Sequence, residues 1–244
     1  MQYVSYAPHP SLKEYIDAYW MVTGNSTTPI AERILPDGCV DIILNLGDDC
    51  NTDNNGFSMK HGKAYLVGTM TGFKDTVMSR ETKLCGIRFK PAGFAAFYNY
   101  CSLHEVTDHT VDYDLKLAPD LLQTARHSMA YLDRFFLNRL SPPRHRLMPI
   151  INDIEKTKGQ LRVSELSRRH FITNRQLERH FKFHTGVSPK EFINIVRFQS
   201  AMQEIRNNNH GRSLLNIAFD LGYYDHSNLT NAIKKYTGVA PSLL

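Results

Sequence analysis

Thr185-Gly186-Val187-Ser188-Pro189 returns 52 residues later as Thr237-Gly238-Val239-Ala240-Pro241. The same offset carries Leu177 to Leu229, Phe181 to Ile233 and Lys182 to Lys234, so the agreement runs back through the segment before each Thr-Gly. Self-similarity at a fixed offset marks two copies of one supersecondary unit. In each copy a short apolar helix, 163–170 or 214–221, meets a turn and then a second helix opened by a capping residue, Thr173 or Asp225. This is helix-turn-helix anatomy. Gly222 stands in the second turn, where a positive φ is often required; the first copy is one residue shorter before its cap and has no glycine there.

Between the copies, Ser188-Pro189-Lys190-Glu191 places Ser at the N-cap, Pro at N1 and Glu at N3 of a further helix. The pattern predicts that it runs to about Asn207, with Phe192, Ile195, Val196, Met202 and Ile205 on one side. Some 19 residues at about 1.5 Å each span about 28 Å, near the roughly 34 Å between successive major-groove faces of B-DNA. One rigid helix can therefore set the spacing of two reading heads.

Charge divides the chain the same way. From residue 141 onward there are 16 Lys and Arg against 8 Asp and Glu, or +8; residues 1–140 carry the remaining 13 against 16, or −3. A basic half joined to a slightly acidic one points to a polyanionic partner for the former. With 42% hydrophobic residues the composition is that of a globular protein, and no run approaches the roughly 18 apolar residues of a membrane span. The opening MQYVSYAPHPSLKEY lacks the basic and apolar regions of a secretion signal, so the expected location is cytoplasmic and no membrane partner is expected. Cys39, Cys50, Cys85 and Cys101 match no zinc or redox spacing and read as buried free thiols, with redox sensing as the alternative.

The first ninety residues read as strands. Val40, Ile42, Leu44 and Leu46 alternate with Asp41, Ile43 and Asn45, and shorter runs lie at 18–22, 64–67 and 85–89. Such alternation predicts a sheet with one buried face. Pro91-Ala92-Gly93 ends the last strand; 94–100 and 119–140 then show helical spacing, and Ser141-Pro142-Pro143 marks a boundary. The expectation is an α+β chain: a mainly β domain over 1–140, with helices from about 91, and an all-α domain over 141–244 made of two helix-turn-helix units joined by a long helix.

From about Ile150 to Leu244 the sequence resembles the AraC family of transcription regulators. The resemblance rests on Leu177-Glu178-Arg179-His180-Phe181-Lys182, both Thr-Gly turns, Ile217-Ala218 with Leu221-Gly222-Tyr223, and Asp225-His226-Ser227-Asn228-Leu229. It implies a DNA-binding regulator with double-stranded DNA and RNA polymerase as partners. It places base contacts on Arg175, Glu178 and Arg179 of the first head and on Ser227, Thr230 and Asn231 of the second. Arg can grip guanine in bidentate fashion, and Glu can accept from cytosine. Backbone contacts fall to Gln176, Lys182, His226, Asn228 and Lys234. Leu229 and Ile233 stand where the family usually has aromatics, and Asn231 where it often has arginine, so the second head is expected to contribute less. The bland alternative for Arg175 and Glu178 is a solvated ion pair.

Residues 33–45 and 86–94 look like an uncharacterised N-terminal domain of such regulators. Better-known members carry a cupin-like barrel that binds a small-molecule effector, followed by helices that dimerise, and the β-then-α order here is similar. Trp20, Arg33, Asp41 and Arg88 are the candidate pocket residues, because strand alternation sets Asp41, Asn45, Arg88 and Lys90 opposite the apolar face. The competing reading of that set is a solvated outer face. The helix over 119–140 offers a homodimer seam or packs on its own domain. No cofactor and no metal are expected: the scattered His61, His104 and His109 do not suit a cupin-type metal enzyme, and the cysteines do not form the zinc cluster of a DNA-repair alkyl acceptor. No catalytic motif appears, and the chain is not expected to be an enzyme.

Overall fold

The structure, a computed structural model, describes residues 1–25, 28–98, 101–143, 145–207 and 211–243. Its strands are β1 (Gln2–Tyr6), β2 (Ile16–Thr23), β3 (Ile30–Ile34), β4 (Val40–Asn45), β5 (Cys50–Thr52), β6 (Phe57–Met59), β7 (Ala64–Val67), β8 (Lys74–Met78), β9 (Lys83–Phe89) and β10 (Thr110–Tyr113). Helices follow as α1 (Leu121–Leu137), α2 (Leu147–Lys156), α3 (Val163–Arg169), α4 (Asn174–Thr185), α5 (Pro189–Arg206), α6 (Leu214–Asp220) and α7 (His226–Thr237).

The strands form two antiparallel sheets, a large one ordered β1-β2-β9-β4-β7-β10 and a small one ordered β3-β8-β5-β6. At the centre of the large sheet every residue of β4 is buried. Val40, Ile42 and Leu44 enter a core with Tyr19, Ile87, Phe89 and Phe136. Ile43 belongs to a second core with Trp20, Tyr65, Met59 and Met78, the last two from the small sheet. The sheet expected to have one wet face is thus covered on both. Asn45 on the second face is fully buried, its amide donating to Asp48 O and Met59 O at 2.9 Å each.

Behind the large sheet lies α1. Asp120 caps it, its carboxylate accepting from Gln123 N at 2.8 Å, and Leu132 and Phe136 are fully buried in the sheet core. Leu132 and Phe136 therefore pack α1 on its own domain, while Leu122 in its first turn stays 68% exposed. The helix expected over 94–100 is a 3-10 turn at Gly93–Ala96, and Asn99 and Tyr100 lie outside the described residues.

The C-terminal half has two small cores. Leu166, Leu177, Phe181, Phe192 and Ile193 pack with α2, and Ile217, Leu221, Leu229, Ile233 and Tyr236 pack with Ile195, Phe198 and Met202. The connecting α5 is thus apolar on two sides in succession, and the expectation of a single apolar side is corrected: a helix shared by two cores must face each in turn. Its cap is half the expected box. Ser188 Oγ accepts from Glu191 N at 3.1 Å, but the Glu191 carboxylate accepts from Tyr236 Oη at 2.9 Å and pairs with Lys235, which ties the start of α5 to α7.

Candidate nucleic-acid interface

Helix α4 begins at a reciprocal cap. Thr173 Oγ1 accepts from Gln176 N at 3.2 Å, and Gln176 Oε1 accepts from Thr173 N at 3.1 Å. The Gln176 side chain, expected at a phosphate, is therefore engaged in the cap. Leu177 and Phe181 bury one face completely, which leaves Arg175 and Arg179 exposed and Glu178 and Lys182 half-buried on the other. Among the described residues no ion pair holds Arg175 or Arg179. Glu178 pairs instead with Lys182 at 3.5 Å, a surface i,i+4 contact worth about 0.3–0.5 kcal/mol that a base edge can replace.

Helix α7 repeats the plan with uncharged side chains at the base-facing positions and its charge, Lys234 and Lys235, in the last turn. The Asp225 carboxylate caps it, accepting from Asn228 N at 2.7 Å and from Asn228 Nδ2 at 3.1 Å, so Asn228 too is partly committed to the cap. Ser227, Asn231, His226 and Lys234 are exposed and Thr230 is half-buried, while Leu229 and Ile233 are fully buried and keep the packing that larger aromatics would supply. In the second turn Gly222 has φ +72°; in the first the same left-handed step falls on Phe171, at φ +51° and 98% exposed.

Residues 166–244 match a family described as a helix-turn-helix domain. The DNA-binding half of the chain is of the AraC type. A DNA-binding domain of this type makes the protein a DNA-binding transcription regulator. Residues 4–112 match a domain of unknown function, DUF6597. The fold is similar to that of ToxT from Vibrio cholerae in its 1.65 Å structure, at TM-score 0.50 and 11% identity over 100% of this chain and 97% of ToxT. A second ToxT structure, from Vibrio cholerae O395, matches at TM-score 0.49 and 12% identity over 92% and 94%. The C-terminal domain of AraT, a response regulator from Geobacillus stearothermophilus, matches at TM-score 0.35 and 21% identity, over 41% of this chain and 85% of that one. No curated protein matches the sequence. Among the described residues no helix is long and apolar enough to cross a membrane.

Both AraC-type recognition helices end against the β domain. A helix leaves its last carbonyls without intrahelical partners, and here the other domain supplies donors. Thr69 Oγ1 donates to Thr185 O at 2.6 Å, and Thr107 Oγ1 donates to Gly186 O at 2.7 Å, with His104 Nδ1 at 2.8 Å from the same oxygen. At the second helix Arg33 donates to Thr237 O at 3.0 Å, with the sign of charge that a helix C-terminus favours. Arg33 is thus corrected from pocket residue to docking residue: its guanidinium forks onto Asp75 at 2.8 and 2.9 Å and lies 4.1 Å from the Phe73 ring centre.

The other three predicted pocket residues do come together. Trp20, Asp41 and Arg88 line a cavity of about 150 Å³ between the sheets. Trp20 Nε1 donates to Asp41 Oδ1 at 2.7 Å, and Arg88 Nε lies 3.4 Å from the same carboxylate. The indole lies across Gly86, where a Cβ would fall 1.9 Å from a ring atom, so the glycine makes room for it. Burial pushes the Asp41 carboxyl up, with Arg88 opposing, while Asp41 beside Arg88 holds the guanidinium firmly charged. Sequence reasoning missed Asp37, Lys74 and the methionines of the lining; Asp37 was within reach, since it stands in the quoted 33–45 stretch. Burial raises the thiols of Cys50 to about 11 and Cys85 to about 12 and lifts Cys39 well above its ordinary value, which keeps them protonated and unreactive.

Proposed function

We propose that the chain is an effector-responsive regulator, organised as 1–140 and 141–244, that reads two successive major-groove segments with α4 and α7. The observation that carries this reading is the pair of capped helices at either end of α5, each burying one face and leaving open the side chains that the AraC resemblance assigns to bases. Arg175, Glu178 and Arg179 read bases in one half-site, and Ser227, Thr230 and Asn231 in the other. Lys182, Lys234, His226, Gln176 and Asn228 hold the backbone, the last two chiefly through the helix ends they cap. The first head, with charged side chains at its base-facing positions, contributes more than the second, whose base-facing Ser227, Thr230 and Asn231 are uncharged. The regulator works in the cytoplasm, contacts RNA polymerase, and takes its effector in the cavity of Trp20, Asp41 and Arg88. A homodimer would need a surface other than the buried face of α1.

The test is selection of bound genomic fragments by the purified protein, repeated with Arg179→Ala and Asn231→Ala. The expected result is one bipartite motif, with Arg179→Ala erasing preference in one half only and costing about 1–3 kcal/mol there. Uniform weakening across all sequences would instead make Arg179 a phosphate contact.

A further inference from the structure

We propose that the cavity takes a small apolar ligand bearing one protonated amine, and that its walls at 34–39 and 68–70 carry the ligand's presence to both reading heads. The proposal rests on the effector-site reading above and names the effector's class and its route.

Size comes first. A volume of about 150 Å³ admits one ring or its equivalent, as an engineered apolar cavity of about that size admits benzene. Met59, Met70 and Met78 supply an adaptable apolar lining, and the rings of Tyr3 and Trp20 stack 6.3 Å apart at its edge. Aromatic faces and polarizable sulfur suit an apolar body with a cationic end.

Charge then selects the ligand. The carboxylate and basic side chains of the lining are Asp37, Asp41, Lys74 and Arg88. Lys74 Nζ lies 2.7 Å from Asp53 Oδ1, so a carboxylate outside the lining already matches it. The Met1 ammonium is held at Asn25 on the exposed side. What remains is Arg88 shared by two carboxylates, Asp37 at 3.3 Å and Asp41 at 3.4 Å. Two carboxylates against one guanidinium leave an uncompensated negative charge in a half-open, largely apolar space, an unfavourable arrangement. An ammonium cancels it, whereas a ligand carboxylate would add to it.

The route runs through the chain neighbours of the lining residues. Ile34, Asp37 and Cys39 line the cavity, and those between them face the helices. Arg33 donates to Thr237 O, Leu35 packs into the second head's core, and the Pro36 carbonyl accepts from Gln199 of α5. At Gly38, in the loop between β3 and β4, a Cβ would fall 2.7 Å from the Phe192 ring, so loop and helix are in direct contact. On the other wall Gly68 and Met70 line the cavity while Thr69 between them donates to Thr185 O of the first head. A ligand that shifts either wall must move a helix cap.

The test uses the full chain and three single-ring probes of equal length, 2-phenylethylamine, 2-phenylethanol and phenylacetate, followed by calorimetry. The amine should bind at least tenfold tighter than the other two, and Asp41→Asn and Asp37→Asn should each remove most of that preference while melting cooperatively. Tightest binding by the alcohol or the acid overturns the amine class and leaves the effector site standing; binding by none overturns both. The amine should also change affinity for the selected DNA by at least threefold, and Thr69→Val should reduce that response while binding the amine as before. An equal response in the variant, or no response in the parent, overturns the relay.

Discussion

The His184 ring sits with its centre 4.2 Å from that of His145, and His145 Nε2 lies 3.2 Å from Ala92 O of the β domain. Burial, with His145 and His180 adding to it, pushes His184 down to about 4, and burial lowers His145 as well. An unfolded imidazole titrates near about 6.5, so as pH falls the unfolded chain takes up protons before the folded one. Stability present above that pH is lost between about pH 6.5 and 4. Because the rings are partly exposed, the loss is on the order of 1 kcal/mol, or about 2–4 °C in melting temperature. His184→Gln should flatten this dependence in melts at pH 7 and pH 5; a variant as pH-sensitive as the parent would take the histidine pair out of the account. None of this could be read from the sequence, because the partners of His184 include a residue 39 positions earlier in the chain.

At the scale of elements, the two turns solve one problem differently. Each needs a left-handed residue between its helices, and Gly222 meets that need without a steric penalty while Phe171 does not. Since Phe171 is 98% exposed, its replacement removes almost no packing. Phe171→Gly should therefore stabilise the protein by roughly 0.5–1 kcal/mol, net of the greater freedom of glycine in the unfolded chain, as measured by urea unfolding. Destabilisation would show that the exposed ring makes a contact worth more than the strain. The caps at Thr173, Ser188 and Asp225 were all legible in the sequence, since each involves only the residue itself and its neighbour three positions on. The two-sided packing of α5 was not, because which side of a helix is buried depends on how many cores it serves.

For the whole molecule, the central feature is that both recognition helices are fixed at one end by the same β domain and joined by an 18-residue helix. Their spacing is therefore a property of the assembled protein. One base pair inserted between the half-sites displaces the second groove by about 3.4 Å and turns it by about 34°. Binding should fall about tenfold or more in a gel-shift titration, and Arg33→Ala, which frees the end of α7, should recover part of it. If the inserted site binds as well as the original, the heads are not held in register by this docking.

The sequence by itself determined the repeat, the helix-turn-helix units with their caps, the uneven charge of the two halves and the β-then-α order, because caps and hydrophobic periods act over a few neighbouring residues. Only the tertiary structure decided that the second face of β4 is covered, that Asp37, Asp41 and Arg88 share one cavity while Arg33 leaves it to cap α7, and that both heads rest on the cavity walls. Asp41 and Arg88 are 47 residues apart and meet because β4 and β9 pair in a register that sets them side by side. Strand alternation tells which residues share a face; what covers that face depends on segments far away in the chain.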